Sequence, residues 1–257
     1  MNFVIKNEMK TKRLFFNCVS GVMIALFLNS CNLDNNGYSL GDVWYSLATV
    51  KPLDNGRIYS LTLDDGKTLW PAATRAPYYK PKANQRAFVY YTILSDSFQG
   101  YNHAVQIHDI RNILTKPFVD RFNPDSLDVK YGKDPLKIMD MWMGDGYLNV
   151  QFGFNHGGTK VHYINLIHRP KGDNPYVFEL RHHAYGDPQR YGRKGLAAFD
   201  LSKLKLEGKE PTLTVLVKTF KGDKEYTIKY KKKHTSKATP YSIKDKDLSD
   251  LDFVATK

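Results

Sequence analysis

The side chains able to do chemistry here are few and widely spaced. Histidines stand at His162, His168, His182 and His183, and imidazole is the commonest ligand of transition ions. His162 and His168 fall on one face of an extended segment, with His182 on a neighbouring one and His183 on its opposite face. Six residues of strand hold His162 and His168 about 20 Å apart, too far to share an ion. Only a cross-strand pair such as His168 with His182 could chelate, and ordinary surface or sheet-edge histidines are the simpler reading. No metal is therefore expected. A nucleophile elbow, a P-loop, a dinucleotide fingerprint and a zincin helix are all missing, and the nearest Gly-x-Gly, at Gly144 and Gly146, is bracketed by strands. An enzyme would need groups such as Asp140, His168 or His182 to converge from different strands. The expectation is a non-catalytic protein without a cofactor.

Rings beside cations offer a second kind of chemistry. The stretch from Pro71 to Asn84 carries Arg75, Tyr78, Tyr79 and Lys80, and the stretch from His182 to Lys194 carries Tyr185, Asp187, Pro188, Arg190 and Tyr191. Long loops of this composition suit a binding surface, because rings stack on sugars and cations meet anionic groups. Arg75, Tyr78, Tyr79, Lys80, Tyr185, Arg190 and Tyr191 are the candidate binding residues. Rings next to Lys and Arg on a small barrel also suit single-stranded nucleic acid. Packing into two small cores is the simpler account of most of them, and nucleic acid is not expected as a partner.

One cysteine has a chemical context of its own. Lys6, Lys10, Lys12 and Arg13 precede an apolar stretch from Leu14 to Leu28, which runs into Leu28-Asn29-Ser30-Cys31. That is the order of a signal peptide. Its apolar core is about fifteen residues, short of the roughly twenty that span a membrane. The segment resembles a bacterial lipobox, with cleavage before Cys31 and acylation of its thiol; an ordinary secretory signal with a chance cysteine is the alternative. Loss of residues 1–30 removes Cys18, four basic residues and Glu8, so the formal charge falls from +12 to +9 and no free thiol remains. Thiol chemistry and thiolate metal sites are then excluded. The expected address is the cell envelope, at the outer membrane, with its periplasmic or surface face left open.

The elements that must position these residues are strands. Leu148, Val150, Phe152 and Phe154 alternate with polar neighbours, as do Tyr176, Phe178 and Leu180, then Leu213, Val215 and Val217, then Tyr226, Ile228 and Tyr230. Apolar one way and polar the other marks antiparallel sheet with one wet face. Turn signals at Asp54-Asn55-Gly56, Asp65-Gly66, Gly144-Asp145-Gly146, Asn155-His156-Gly157-Gly158 and Lys221-Gly222-Asp223 separate the runs. Helical patterning is thin, limited to Asp109–Leu114 and Leu196–Leu206, so the fold class is all-β. Residues 118–134, rich in Pro, Asp, Ser and Gly, divide two blocks. The first offers four or five strands, among them Arg86–Leu94, apolar on both faces as in a closed barrel of the OB type. The second, Leu136 to Lys231, offers about seven strands with turns every ten residues or so, the spacing of a β-sandwich. Lys231, Lys232, Lys233 and Lys237 open a basic tail.

Gly37-Tyr38-Ser39-Leu40-Gly41-Asp42, Trp44 and Ser46-Leu47-Ala48-Thr49-Val50 follow the lipobox; Val89–Asp96 and Asp109–Lys116 come later. In combination these segments resemble the NigD-like family of envelope lipoproteins of Gram-negative anaerobes. The resemblance implies an OB domain over residues 36–118 and a C-terminal β-sandwich over 119–233; the basic run that follows reads as a flexible tail over 234–257. The resemblance supplies no catalytic residues. The family name comes from a bacteriocin-associated gene cluster, which implies immunity or accessory work as an alternative to a protein- or glycan-binding module.

Overall fold

The computed structural model describes residues 38–205 and 211–230. The signal segment, Cys31 and the tail lie outside those residues. Five strands form the first unit of the fold: β1 (Trp44–Leu53), β2 (Ile58–Leu63), β3 (Thr68–Thr74), β4 (Gln85–Phe98) and β5 (Tyr101–Asn112). They close in the order β1-β2-β3-β5-β4. The first strand pairs antiparallel with both β2 and β4, and the parallel pairing of β3 with β5 completes the ring. Closure removes sheet edges that would otherwise template aggregation. It also explains why β4 is apolar on both faces over its first half. Inward residues such as Val50, Leu61, Val89, Val105 and Ile107 fill the barrel, while others on β1 and β4 turn toward the second unit.

Residues 109–112 are not helical but end β5. The chain then leaves the barrel through β6 (Leu114–Pro117), a 3-10 turn and the short helix α1 (Leu127–Tyr131), followed by β7 (Lys137–Gly144), β8 (Tyr147–His156), β9 (Tyr163–His168) and β10 (Val177–His183). The last three strands are β11 (Tyr191–Asp200), β12 (Thr212–Thr219) and β13 (Gly222–Lys229). They form two sheets, β6-β11-β8-β7 and β13-β12-β10-β9. Residues 114–117 thus serve the sandwich, pairing with β11, although they precede the boundary expected at 118. Leu196–Leu206, the other segment with mixed spacing, begins inside β11. Period-two patterning does its work between the sheets: Leu148, Val150, Phe152 and Phe154 meet Ile164, Leu166, Phe178, Leu180, Val215 and Val217.

The opposite face of the β6-β11-β8-β7 sheet is shared. Tyr147, Leu196, Ala198 and Trp142 pack on Leu47, Ile113 and Phe88 of the barrel side. A polar joint sits beside this patch. Asp64, in the β2–β3 turn, pairs with the guanidinium of Arg86 and accepts a hydrogen bond from Trp142 Nε1 at 2.8 Å. Arg86 is fully buried, donates to Thr49 Oγ1 at 3.0 Å and lies 5.2 Å from the centre of the Tyr147 ring. Tyr147 donates its hydroxyl proton to the Asn84 carbonyl at 3.0 Å. At Gly144 a Cβ would stand 2.1 Å from Asp64 Cγ, so only glycine allows this approach.

Candidate functional site

Four polar side chains converge where β8 ends, β9 begins and β10 ends. β8 delivers His156 at its last residue, and the Gly157–Lys160 turn brings His162 back just before β9. β10 carries His182, and the loop after it carries Asp187. The bonds that fix this turn all end on Asp187. Its Oδ1 accepts from Thr159 N–H at 2.9 Å, Thr159 Oγ1 at 2.5 Å and Lys160 N–H at 3.1 Å. Its Oδ2 accepts from Gly157 N–H at 2.5 Å and stands 3.0 Å from His156 Nδ1 and 3.1 Å from His162 Nε2. The two imidazole nitrogens are 3.5 Å apart. On its other side His162 Nδ1 is 2.9 Å from His182 Nε2. A Cβ on Gly157 would lie 2.4 Å from the Pro188 carbonyl oxygen, so this residue type permits the close approach of the loop to the turn.

Burial and hydrogen bonding together shift two members of the group, Asp187 and His182. The side chains of Asp187 and His162 are buried and that of His156 is about a quarter exposed (24%). Burial pushes the Asp187 carboxyl up, but the hydrogen bonds from Thr159, Gly157 and His162 together hold it well below the usual carboxylate range. His182 is driven down to about 4, first by burial and then by the neighbouring His162, so it is neutral at physiological pH. Phe154 closes the apolar side, with its ring 5.0 Å from that of His162 and 5.6 Å from that of His182. His156 Nδ1, His162 Nε2 and Asp187 Oδ2 form a set of donors close enough to hold one ion.

This grouping differs from the histidine pair expected from the sequence. His162 precedes β9 rather than lying within it, and the β9–β10 register sets Phe178 opposite His168 and Ile164 opposite His182. His168 is spent elsewhere, on Asp120 at 2.8 Å and the Pro175 carbonyl at 2.7 Å. His156 and Asp187 carry no signal of their own in the sequence beyond their turn and loop positions. The spacing that could have found them is His156 and His162 flanking a Gly-Gly turn, since a tight reversal returns two such positions to each other.

The ring-bearing loops divide more finely. Arg75 and Lys80 are exposed, and the Arg75 backbone N–H extends β3 by bonding to the Ile107 carbonyl. Tyr78 is exposed, with its hydroxyl 3.3 Å from Asp109 Oδ1. Tyr79 instead packs against the barrel core, edge-on to Tyr59, and donates to Asn112 Oδ1 at 2.7 Å. In the second loop Tyr185 is exposed with a left-handed backbone, φ 53°, rare for an aromatic residue. Its ring lies flat on His183 at 3.7 Å and edge-on to Tyr163. Arg190 is exposed, and Tyr191, which opens β11 opposite His156, is 67% exposed. The residues after Tyr191 in sequence, Gly192, Arg193 and Lys194, line a groove of about 410 Å³ together with Lys137, Met139 and Phe154. The Tyr185–Tyr191 loop therefore connects the histidine group to an exposed aromatic surface.

Comparison with known proteins agrees with this architecture. Residues 47–113 match the NigD-like N-terminal OB domain and residues 118–230 the NigD-like C-terminal beta sandwich domain. A solved putative toxin-related protein from Parabacteroides distasonis is 44% identical, with TM-score 0.68 over 74% of this chain and 94% of that one. A protein of unknown function, DUF1344, from Bacteroides vulgatus is 28% identical, with TM-score 0.67 over 82% and 100%. A NigD-like immunity protein from Bacteroides caccae, at 22% identity and TM-score 0.56 over 73% and 94%, shares the fold. No curated protein matches the sequence. With both family domains matched in order across most of its length, the chain belongs to the NigD-like family.

Proposed function

We propose that this chain is a non-catalytic protein of the bacterial envelope, tethered to the outer membrane by lipid at Cys31, that binds an envelope protein or glycan through the loops of its sandwich. The observation that carries this reading is Tyr185. A solvent-exposed aromatic residue held in a left-handed conformation costs about 1–3 kcal/mol, and such strain persists where surrounding structure imposes it. Here the imposition comes from Asp187, two residues on, and from the parallel stack on His183. Tyr191 is exposed at the end of the same loop, and Arg193 and Lys194 after it line a groove with Lys137. Rigid exposed rings beside cations favour a partner that can stack and carries anionic or hydroxyl groups.

The test is affinity capture from detergent-solubilised envelope together with a glycan array, comparing the wild-type chain with Tyr185→Ser/Tyr191→Ser. Saturable capture lost in the double variant supports the reading. Equal capture by both proteins moves the surface elsewhere, to Arg75, Tyr78 and Lys80 of the barrel as the next candidates.

A second reading is an immunity or accessory lipoprotein that blocks a bacteriocin near the membrane. It draws on the family name and on the toxin-related description of the 44% identical protein. A toxin gene beside this one, and cells sensitised by its deletion, would favour it over the first.

A further inference from the structure

We propose that His156 Nδ1, His162 Nε2 and Asp187 Oδ2 bind a divalent transition ion of the zinc class, which fastens the Tyr185–Tyr191 loop to the β8–β9 turn. The distances fit such an ion. Bonds of about 2.0–2.1 Å at tetrahedral angles place neighbouring ligand atoms about 3.3–3.4 Å apart. The three separations here are 3.0, 3.1 and 3.5 Å. Two imidazoles and one carboxylate oxygen suit zinc and its transition neighbours rather than calcium or magnesium, which take oxygen donors.

Hydrogen bonding uses only part of the same arrangement. Without an ion, Asp187 Oδ2 accepts from the Gly157 N–H and from His162 Nε2, while His156 Nδ1 stands 3.0 Å from it. His156 Nδ1 and His162 Nε2 lie 3.5 Å apart, longer than an ordinary hydrogen bond. An ion held among the three would take a lone pair from each. Asp187 Oδ1 stays engaged by Thr159 and Lys160, which leaves Oδ2 as a single, oriented ligand atom.

Supporting groups are in place as well. Metal-bound histidines usually donate their second N–H to an acceptor that fixes the ring. His162 Nδ1 has such a partner in His182 Nε2, 2.9 Å away and buried. The partial exposure of His156 gives the ion a route in and leaves a fourth position to solvent. Binding then switches the His162 tautomer: its Nε2 carries the proton in the free protein, and its Nδ1 carries it when Nε2 is on the metal.

The test uses the full-length chain in detergent, without a polyhistidine tag, stripped by chelator and titrated with Zn²⁺ and Co²⁺. The expected result is one ion per chain, intense tetrahedral-type Co²⁺ absorption, and a ¹⁵N shift of His162 reporting the tautomer switch. His156→Gln should weaken binding by roughly a hundredfold or more, since even supporting groups are worth 10–100-fold, whereas His168→Gln should bind as wild type. Asp187→Asn tests the carboxylate; if it fails to fold, the partly exposed His156 still carries the test. A folded wild-type chain that takes up no stoichiometric ion, or His156→Gln binding as tightly as wild type, overturns the proposal. Partner capture by Tyr185 and Tyr191 is a separate readout, so the two proposals fail independently.

Discussion

Replacing Arg86 with Met removes the guanidinium at the joint between barrel and sandwich while keeping most of the buried stem. The lost groups are the ion pair with Asp64, the hydrogen bond to Thr49 and the cation over Tyr147. Removing one partner of a buried pair typically costs about 3–5 kcal/mol, because the other charge is left without compensation. Asp64 retains the Trp142 N–H and has about a fifth of its side chain exposed (20%), so the low end applies, about 3 kcal/mol. For a fold of this size that is a fall in Tm of about 6–12 °C. Scanning calorimetry and urea unfolding would measure it, with the variant's barrel and sandwich transitions separating where the wild type shows one. Adding Asp64→Asn removes the orphaned charge yet keeps an acceptor for Trp142, and should recover about 1–2 kcal/mol. A loss below about 1 kcal/mol in Arg86→Met, or strict additivity in the double variant, would refute the reasoning.

Three further outcomes follow from the same geometry. Burial, joined by the charge of Asp200, raises the Tyr147 hydroxyl to about 12. A raised folded value means stability is complete below the unfolded value near 10 and is lost as pH climbs toward 12, by about 2–3 kcal/mol; alkaline unfolding of Tyr147→Phe should show a correspondingly shallower loss. Gly157→Ala forces the loop from the Pro188 carbonyl and should destabilise by about 1–3 kcal/mol, read as faster amide exchange across residues 184–191. On the barrel, Tyr78→Ala should change stability by less than about 0.5 kcal/mol while Tyr79→Ala costs about 2 kcal/mol in urea unfolding, because only Tyr79 is packed against the core.

Strand positions and domain order were legible because local patterning carries them. Leu148 to Phe154 can bury one face only as a strand, and the two-sided apolar run from Arg86 points to a barrel wall without knowledge of its neighbours. Arg86 itself shows the limit of such reading, since its charge lies buried and is made tolerable by Asp64 from another turn. The histidine group was illegible for a related reason. The Gly-Gly turn pairs His156 with His162 within one segment, but Asp187 and His182 come from the β10 strand and the loop after it, so the full group shows only once the turn has folded around Asp187. Tyr78 and Tyr79 look identical in sequence, yet a one-residue step sends one ring outward and the other onto Tyr59.

The most direct test places a photo-crosslinking residue at position 191, or at 185, of the full-length protein in living cells. A discrete heavier adduct, protein or glycan, is expected from these positions and none from the exposed barrel position Lys51. No adduct from either loop position, or the same adducts from Lys51, would contradict the claim that the Tyr185–Tyr191 loop is where this protein meets its partner.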